Sequence, residues 1–208
     1  RGAYESLFYY DAKKKSLTRL TAAGLSVSDV QLTEDRKTVY YSLLDVSVPR
    51  PAYFGGADLY RMELASRREE AVAKSRPDFN IAAYALGRSF LLLLAADGKY
   101  GMNTDVDFYT LDYETLAVSP CAVYGESIGS SVGSDIRHGG GRTMKMDGDV
   151  LYFISTRFDS AGLYKLENGV VSPVMERGGS VDCFDRCGGK MLLCALWDMR
   201  AQELYDET

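Results

Sequence analysis

Apolar stretches recur along the chain in one phrasing: a short apolar segment, a polar turn, then a stronger apolar-aromatic run. The phrase reads VQLTEDRKTVYYSLL at residues 30–44, YALGRSFLLLLA at 84–95, MKMDGDVLYFIS at 144–155 and CFDRCGGKMLLCAL at 183–196. In phase with it runs a second mark, an apolar-aromatic pair followed by a polar or acidic turn. It appears as LFYYD (7–11), LYRME (59–63), FYTLD (108–112), LYKLE (163–167) and LYDET (204–208). Taking Phe8, Tyr60, Tyr109, Tyr164 and Tyr205 as equivalent gives spacings of 52, 49, 55 and 41 residues. That period is close to a propeller blade of roughly 40–50 residues.

Each repeat supplies four strands, A to D. The unit near residues 143–174 shows them most plainly: 143–146, 150–155, 162–166 and 169–174, the last pair joined by Glu167-Asn168-Gly169, an Asn-Gly turn of the hairpin type. The predicted fold class is therefore all-β, a β-propeller of four-stranded antiparallel blades. The units fall at 1–21 (strands C and D), 26–73, 79–120, 142–175 and 180–208 (strands A to C) of a single propeller. This count implies an incomplete ring of about four to five blades, whose unpaired edges favour a homodimer.

Strand parity places the tight A–B and C–D turns on one face of such a propeller. The long connections fall on the other: 45–57, 96–106, 157–161, 197–201 and above all 120–142. Loops of this kind on a rigid scaffold are where binding and docking usually sit.

Composition narrows the choice of partner. The 15 Tyr and 20 Gly beside 5 Pro suit many strands joined by tight turns. A net charge of −5 with an isoelectric point near 5.0 lacks the basic footprint that nucleic acid or an anionic membrane surface requires. FLLLLAA at 90–96 is far too short to span a bilayer and reads as a buried strand. Cys121, Cys183, Cys187 and Cys194 lack zinc-ribbon spacing, and with one His in the chain no metal site or other cofactor is expected. Along one strand Cys183 and Cys187 would stand about 13 Å apart, at roughly 3.3 Å per residue, too far for a disulfide. Thiols in a reducing, cytoplasmic compartment are the expectation.

Two serine-hydrolase signatures lie close together. Gly125-Glu126-Ser127-Ile128-Gly129 fits the G-x-S-x-G nucleophile elbow, and His138-Gly139-Gly140-Gly141 fits the HGGG oxyanion strip. The context contradicts both. An elbow turns from a strand into a helix, whereas SSVGSDIRHGGGRT has no helical apolar period. The strip should also precede the Ser, and the lone His cannot serve both as strip residue and as general base. No catalytic residue is assigned. The segment reads as a Gly-rich loop between blades, in which Asp135, Arg137 and Arg142 can form an ion-pair cluster or meet a partner.

The runs SDIRHGGGRTMKMDGDVLYFISTRFDSAGLYKLENG (134–169) and GSVDCFDRCGGKMLLCALWDMRAQELY (179–205) resemble the later blades of the non-catalytic β-propeller in prolyl-oligopeptidase-type serine peptidases. The likeness is nearer to the acylaminoacyl-peptidase or dipeptidyl-peptidase branch. It implies a hydrolase parent in which the propeller gates peptide substrates and docks on an α/β-hydrolase domain of the same chain. That domain would follow Thr208 and bring its own nucleophile motif. Trp197, Asp198 and Arg200 would be candidates for the docking contact. A stand-alone propeller that binds a protein or small ligand is the rival reading, and a propeller glycosidase with paired acids in its funnel is a third.

Overall fold

The structure, a computed structural model, describes residues 4–49, 56–101, 104–132 and 141–207. Its first sheet is a hairpin of β1 (Phe8–Asp11) and β2 (Ser16–Arg19). The second is a meander of β3 (Leu25–Leu32), β4 (Thr38–Asp45), β5 (Asp58–Glu63) and β6 (Glu69–Ala73), each antiparallel to the next. The third has β7 (Asn80–Leu86), β8 (Phe90–Ala96), β9 (Asp107–Asp112) and β10 (Val118–Ala122) in consecutive order.

The remaining strands share one hydrogen-bonded system. β12 (Met144–Asp147), β13 (Val150–Arg157), β14 (Ser160–Glu167) and β15 (Val170–Met175) form an antiparallel meander, with β11 (Ser127–Ile128) added beside β13. A single parallel bridge, Ala161 with Ser180, links it to β16 (Ser180–Cys187), β17 (Lys190–Leu196) and β18 (Glu203–Glu207). No α-helix occurs among the described residues, so no helix there is long and apolar enough to cross a membrane.

Local chemistry explains these elements. β8, the FLLLLAA run, is buried on both faces from Leu91 to Ala96, which is why it is continuously apolar rather than alternating. The acidic residue of the repeating mark closes the turn after its strand. Asp11 accepts hydrogen bonds from the amides of Lys13 (2.9 Å) and Lys14 (3.1 Å), and Asp112 from those of Glu114 (3.0 Å) and Thr115 (2.7 Å). Such Asx turns satisfy amides that the ladder leaves unpaired. Asn168 and Gly169 both take positive φ (51° and 75°), the backbone of a type I′ hairpin, as the Asn-Gly pair predicts.

Two compact units make up the chain: residues 1–83 with 95–104, and 84–94 with 105–208. The first is centred on Val27, Val39, Tyr41, Leu43 and Met62. The second packs Ile154, Leu163, Phe184, Leu193 and Trp197 together. Also in the second unit, Phe108, Tyr124, Phe153 and Tyr164 form a ring cluster with centroids 5.3–6.4 Å apart.

Two expected loops take a different form. The 157–161 connection is a two-residue turn at Phe158 and Asp159, because β13 and β14 stay paired out to Arg157 and Ser160. Within 120–142, Ser127 and Ile128 pair with Thr156 and Ser155 to make β11.

Candidate functional site

The end of the β13–β14 hairpin gathers charged and aromatic groups around Arg157. Its guanidinium lies over the rings of Tyr164 (4.9 Å) and Tyr124 (5.7 Å) and is paired with Glu176 (3.6 Å) and Glu126 (3.9 Å). Stacking of a cation on two ring faces holds it by quadrupole attraction, of order 0.5–1 kcal/mol per ring where solvent still reaches. The partly exposed ion pairs add little to stability but fix the direction of the side chain. Burial alone would lower the Arg157 pKa; Tyr124, Tyr164 and Glu126 outweigh it, so the guanidinium stays charged and its pKa lies above the ordinary value. Its Nε is buried with no hydrogen-bond partner among the described residues.

Beside this group lies a cleft of about 400 Å³ between the Phe158–Asp159 tip and the Glu176–Gly178 segment, with Tyr164 in its wall. Phe158 stands fully exposed at the rim in a left-handed conformation (φ 54°). Its volume lies near the lower end of the range of small-molecule sites, roughly 300–1,000 Å³. Arginine, carboxylate and aromatic surface together can bind and orient a polar chain. No group of three or more His, Cys, Asp or Glu capable of holding a metal is found among the described residues.

Tyr164 donates its hydroxyl to Glu176 Oε1 at 2.5 Å, and Tyr41, in the other unit, donates to Glu69. Burial first, and then the neighbouring carboxylate, raise both phenol pKa values well above the ordinary one. A folded-state pKa above the unfolded value gives stability that is complete below the unfolded value, near 10, and is lost as pH rises. The urea midpoint is therefore expected to hold through pH 9 and fall above about pH 10. The double variant Tyr41→Phe/Tyr164→Phe should show a shallower fall, and an unchanged alkaline slope would refute this assignment.

The residues of the apparent nucleophile elbow occupy the opposite edge of β13 from β14. Ser127 begins β11, antiparallel to β13; Gly129 N donates to Ile154 O (2.7 Å), and the buried Ser155 hydroxyl donates to Ser127 O (2.8 Å). Tyr124 in turn donates to Ser155 Oγ (2.9 Å). Ser127 is thus a strand residue with an exposed side chain, and its backbone is engaged in extending the sheet. The following residues are anchored through Ser130, whose hydroxyl meets Ser180 Oγ (2.8 Å) beside the buried Asp182 carboxylate, itself bonded by Gln202 Nε2 (2.9 Å).

The predicted loop residues fare differently. Asp135, Arg137 and His138 lie outside the described residues. Arg142 is exposed and its carbonyl accepts from Phe184 N (3.0 Å). Next to it Gly141 has φ 122°, and a Cβ there would come within 2.5 Å of the Cys183 side chain, so Gly is required by both conformation and space. Trp197 is 1% exposed, with its ring against Tyr205 (4.3 Å) and beneath the Arg177 guanidinium (4.8 Å). It supports the loop from below instead of offering a contact surface. Asp198 and Arg200 are exposed, the first paired with Arg177 and the second near Glu203 (3.9 Å). Sequence reading missed Arg157, Tyr164 and Glu176, since nothing local marks residues that meet only across strands.

No family model matches the chain, and no curated protein matches it. Among solved structures it is similar to the β-propeller domain of the trilobed protease from Pyrococcus furiosus, with 16% identity and a TM-score of 0.64 over 96% of this chain and 54% of that one. It is similar to TolB from Acinetobacter baumannii, with 16% identity and a TM-score of 0.61 over 97% and 46%. A third is the acylaminoacyl peptidase of Pyrococcus horikoshii, with 14% identity and a TM-score of 0.58 over 98% and 40%. The chain therefore spans about half, or less, of the length of these proteins. The fold is a β-propeller of four-stranded antiparallel blades, in agreement with the repeat.

Proposed function

We propose that this chain is the non-catalytic propeller portion of a cytoplasmic serine peptidase of the acylaminoacyl- or dipeptidyl-peptidase type. In that role it admits peptides and docks on an α/β-hydrolase domain through the loops carrying Asp135, Arg137, Arg142, Asp198 and Arg200. The observation that carries the reading is the place of Ser127. The chain's own G-x-S-x-G segment is woven into β13 as β11, while the propeller it belongs to has the fold of propellers found in peptidases. The charged and aromatic cleft at Arg157 supports contact with a peptide.

A serine-directed fluorophosphonate is the direct test. Neither the chain nor its Ser127→Ala variant is expected to be labelled or to turn over acyl-aminoacyl or dipeptidyl chromogenic substrates. Labelling that disappears in Ser127→Ala would overturn the reading and make Ser127 a nucleophile.

A second reading is a stand-alone propeller binding module, because the structural likeness extends to TolB about as strongly as to the propellers of peptidases. The gene separates the two. The peptidase reading expects an open frame running past Thr208 into a G-x-S-x-G followed by a helix, then Asp and His; a frame closing near Thr208 would favour the binding module.

A further inference from the structure

The sheet register brings together two cysteines that lie eleven residues apart in sequence. Cys183 in β16 is directly opposite Cys194 in β17. Directly opposed residues of an antiparallel pair project from the same sheet face. Phe184 N donates to Arg142 O and not toward β17, which makes Phe184–Leu193 a non-hydrogen-bonded pair and Cys183–Cys194, one step along, a hydrogen-bonded one. The α-carbons of such a pair stand about 5.5 Å apart, within the roughly 4.4–6.8 Å found in disulfides. A bulge between Val181 and Cys183 gives the strand local freedom to adjust. Both thiols are half-buried. Across from Cys194 on its other side, Leu204 of β18 is 70% exposed, so small molecules reach this face from the Cys194 side, whereas the Cys183 side chain lies against Gly141.

We propose that Cys183 and Cys194 form a reversible disulfide across β16 and β17 by exchange with a small disulfide of the oxidised-glutathione class. One thiolate attacks the small disulfide, forming a mixed disulfide and releasing one glutathione thiolate. The opposite thiolate then displaces the second glutathione. The two cysteine thiols are oxidised and lose two protons, and one oxidised glutathione is reduced to two thiols. Opposed β-carbons start about 4.5–5.5 Å apart and must approach to about 3.8 Å, so the strands pinch and the bond stays easily reduced.

Trypsin separates the relevant cysteines: Cys183 falls in GGSVDCFDR, Cys187 in CGGK and Cys194 in MLLCALWDMR. The reduced full chain is treated with oxidised glutathione, quenched with N-ethylmaleimide, digested and analysed by mass spectrometry. The expected result is loss of two of the four thiols, a dominant GGSVDCFDR–MLLCALWDMR cross-link within the monomer, and full recovery on adding dithiothreitol. In Cys183→Ser, Cys194 should accumulate as the glutathione adduct because its resolving thiol is gone. Retention of all four thiols, or a dominant link through CGGK or Cys121, would overturn the proposal. The measurement on the parent chain decides this even if the variant folds poorly.

Discussion

Replacing Phe153 by Ala is expected to lower the melting temperature by about 12 °C. Phe153 is fully buried in β13, with its ring centroid 5.3 Å from Phe108, 5.4 Å from Tyr124 and 6.0 Å from Tyr164. Truncation removes the transfer free energy of the ring and leaves a cavity that neighbouring strands, held by their ladders, cannot collapse to fill. Such changes cost about 3–5 kcal/mol, and in a chain of this length each kcal/mol moves the midpoint by roughly 2–4 °C. The same cluster seats the two tyrosines that flank Arg157, so the cleft should loosen along with the core. Thermal unfolding followed by circular dichroism provides the check. A midpoint within about 3 °C of the parent, less than 1.5 kcal/mol on the same scale, would mean that the cluster does not anchor this unit.

Gly179→Ala is expected to be comparably damaging, for a different reason. Gly179 has φ 106°, and a Cβ there would lie 2.2 Å from the backbone oxygen of Leu196 and 3.1 Å from the Trp197 ring. Its carbonyl also accepts from Ala161 N (2.9 Å) at the junction of β14 and β16. Neither the backbone conformation nor the adjoining strand can give way without breaking that junction. Left-handed strain alone costs about 1–3 kcal/mol, and the clash adds to it, so a loss of about 4 kcal/mol is expected.

The neighbouring Gly178 offers a control. A Cβ at that position meets nothing within 4 Å, and its φ lies outside the positive range. Gly178→Ala should therefore be neutral, or slightly stabilising by up to about 1 kcal/mol through a less free unfolded chain. Urea unfolding of the two variants side by side tests the pair. Equal midpoints would refute the backbone argument.

How much of this was legible beforehand depends on distance along the chain. The residues that make strands and turns act on near neighbours. The Asn168-Gly169 hairpin, the turn-closing Asp11 and Asp112, and the doubly buried run of β8 could all be read from a few adjacent letters. The repeat of these short signals was enough to predict a propeller of four-stranded blades. The expectation that Ser127 is no nucleophile rests on an equally local feature, the lack of a helix pattern after it.

What remained hidden depends on pairing between distant segments. Ser127 and Ile128 become a strand only because Ser155 and Thr156 present an edge to them. Cys183 is paired with Cys194, and not with Cys187, because four residues along one strand span about 13 Å while directly opposed residues of a ladder are neighbours. Trp197 looked available for docking, and its burial follows from Tyr205 and Arg177 closing over it. Arg157 gains its role when Tyr124, Glu126, Tyr164 and Glu176 arrive from three other parts of the chain. The amino-acid sequence by itself determined the order and kind of the strands, because hydrophobic pattern and turn chemistry are local. Register, burial and the composition of the Arg157 site were decided by tertiary structure alone, because each depends on which strand edge meets which, a choice made by the packing of the whole sheet.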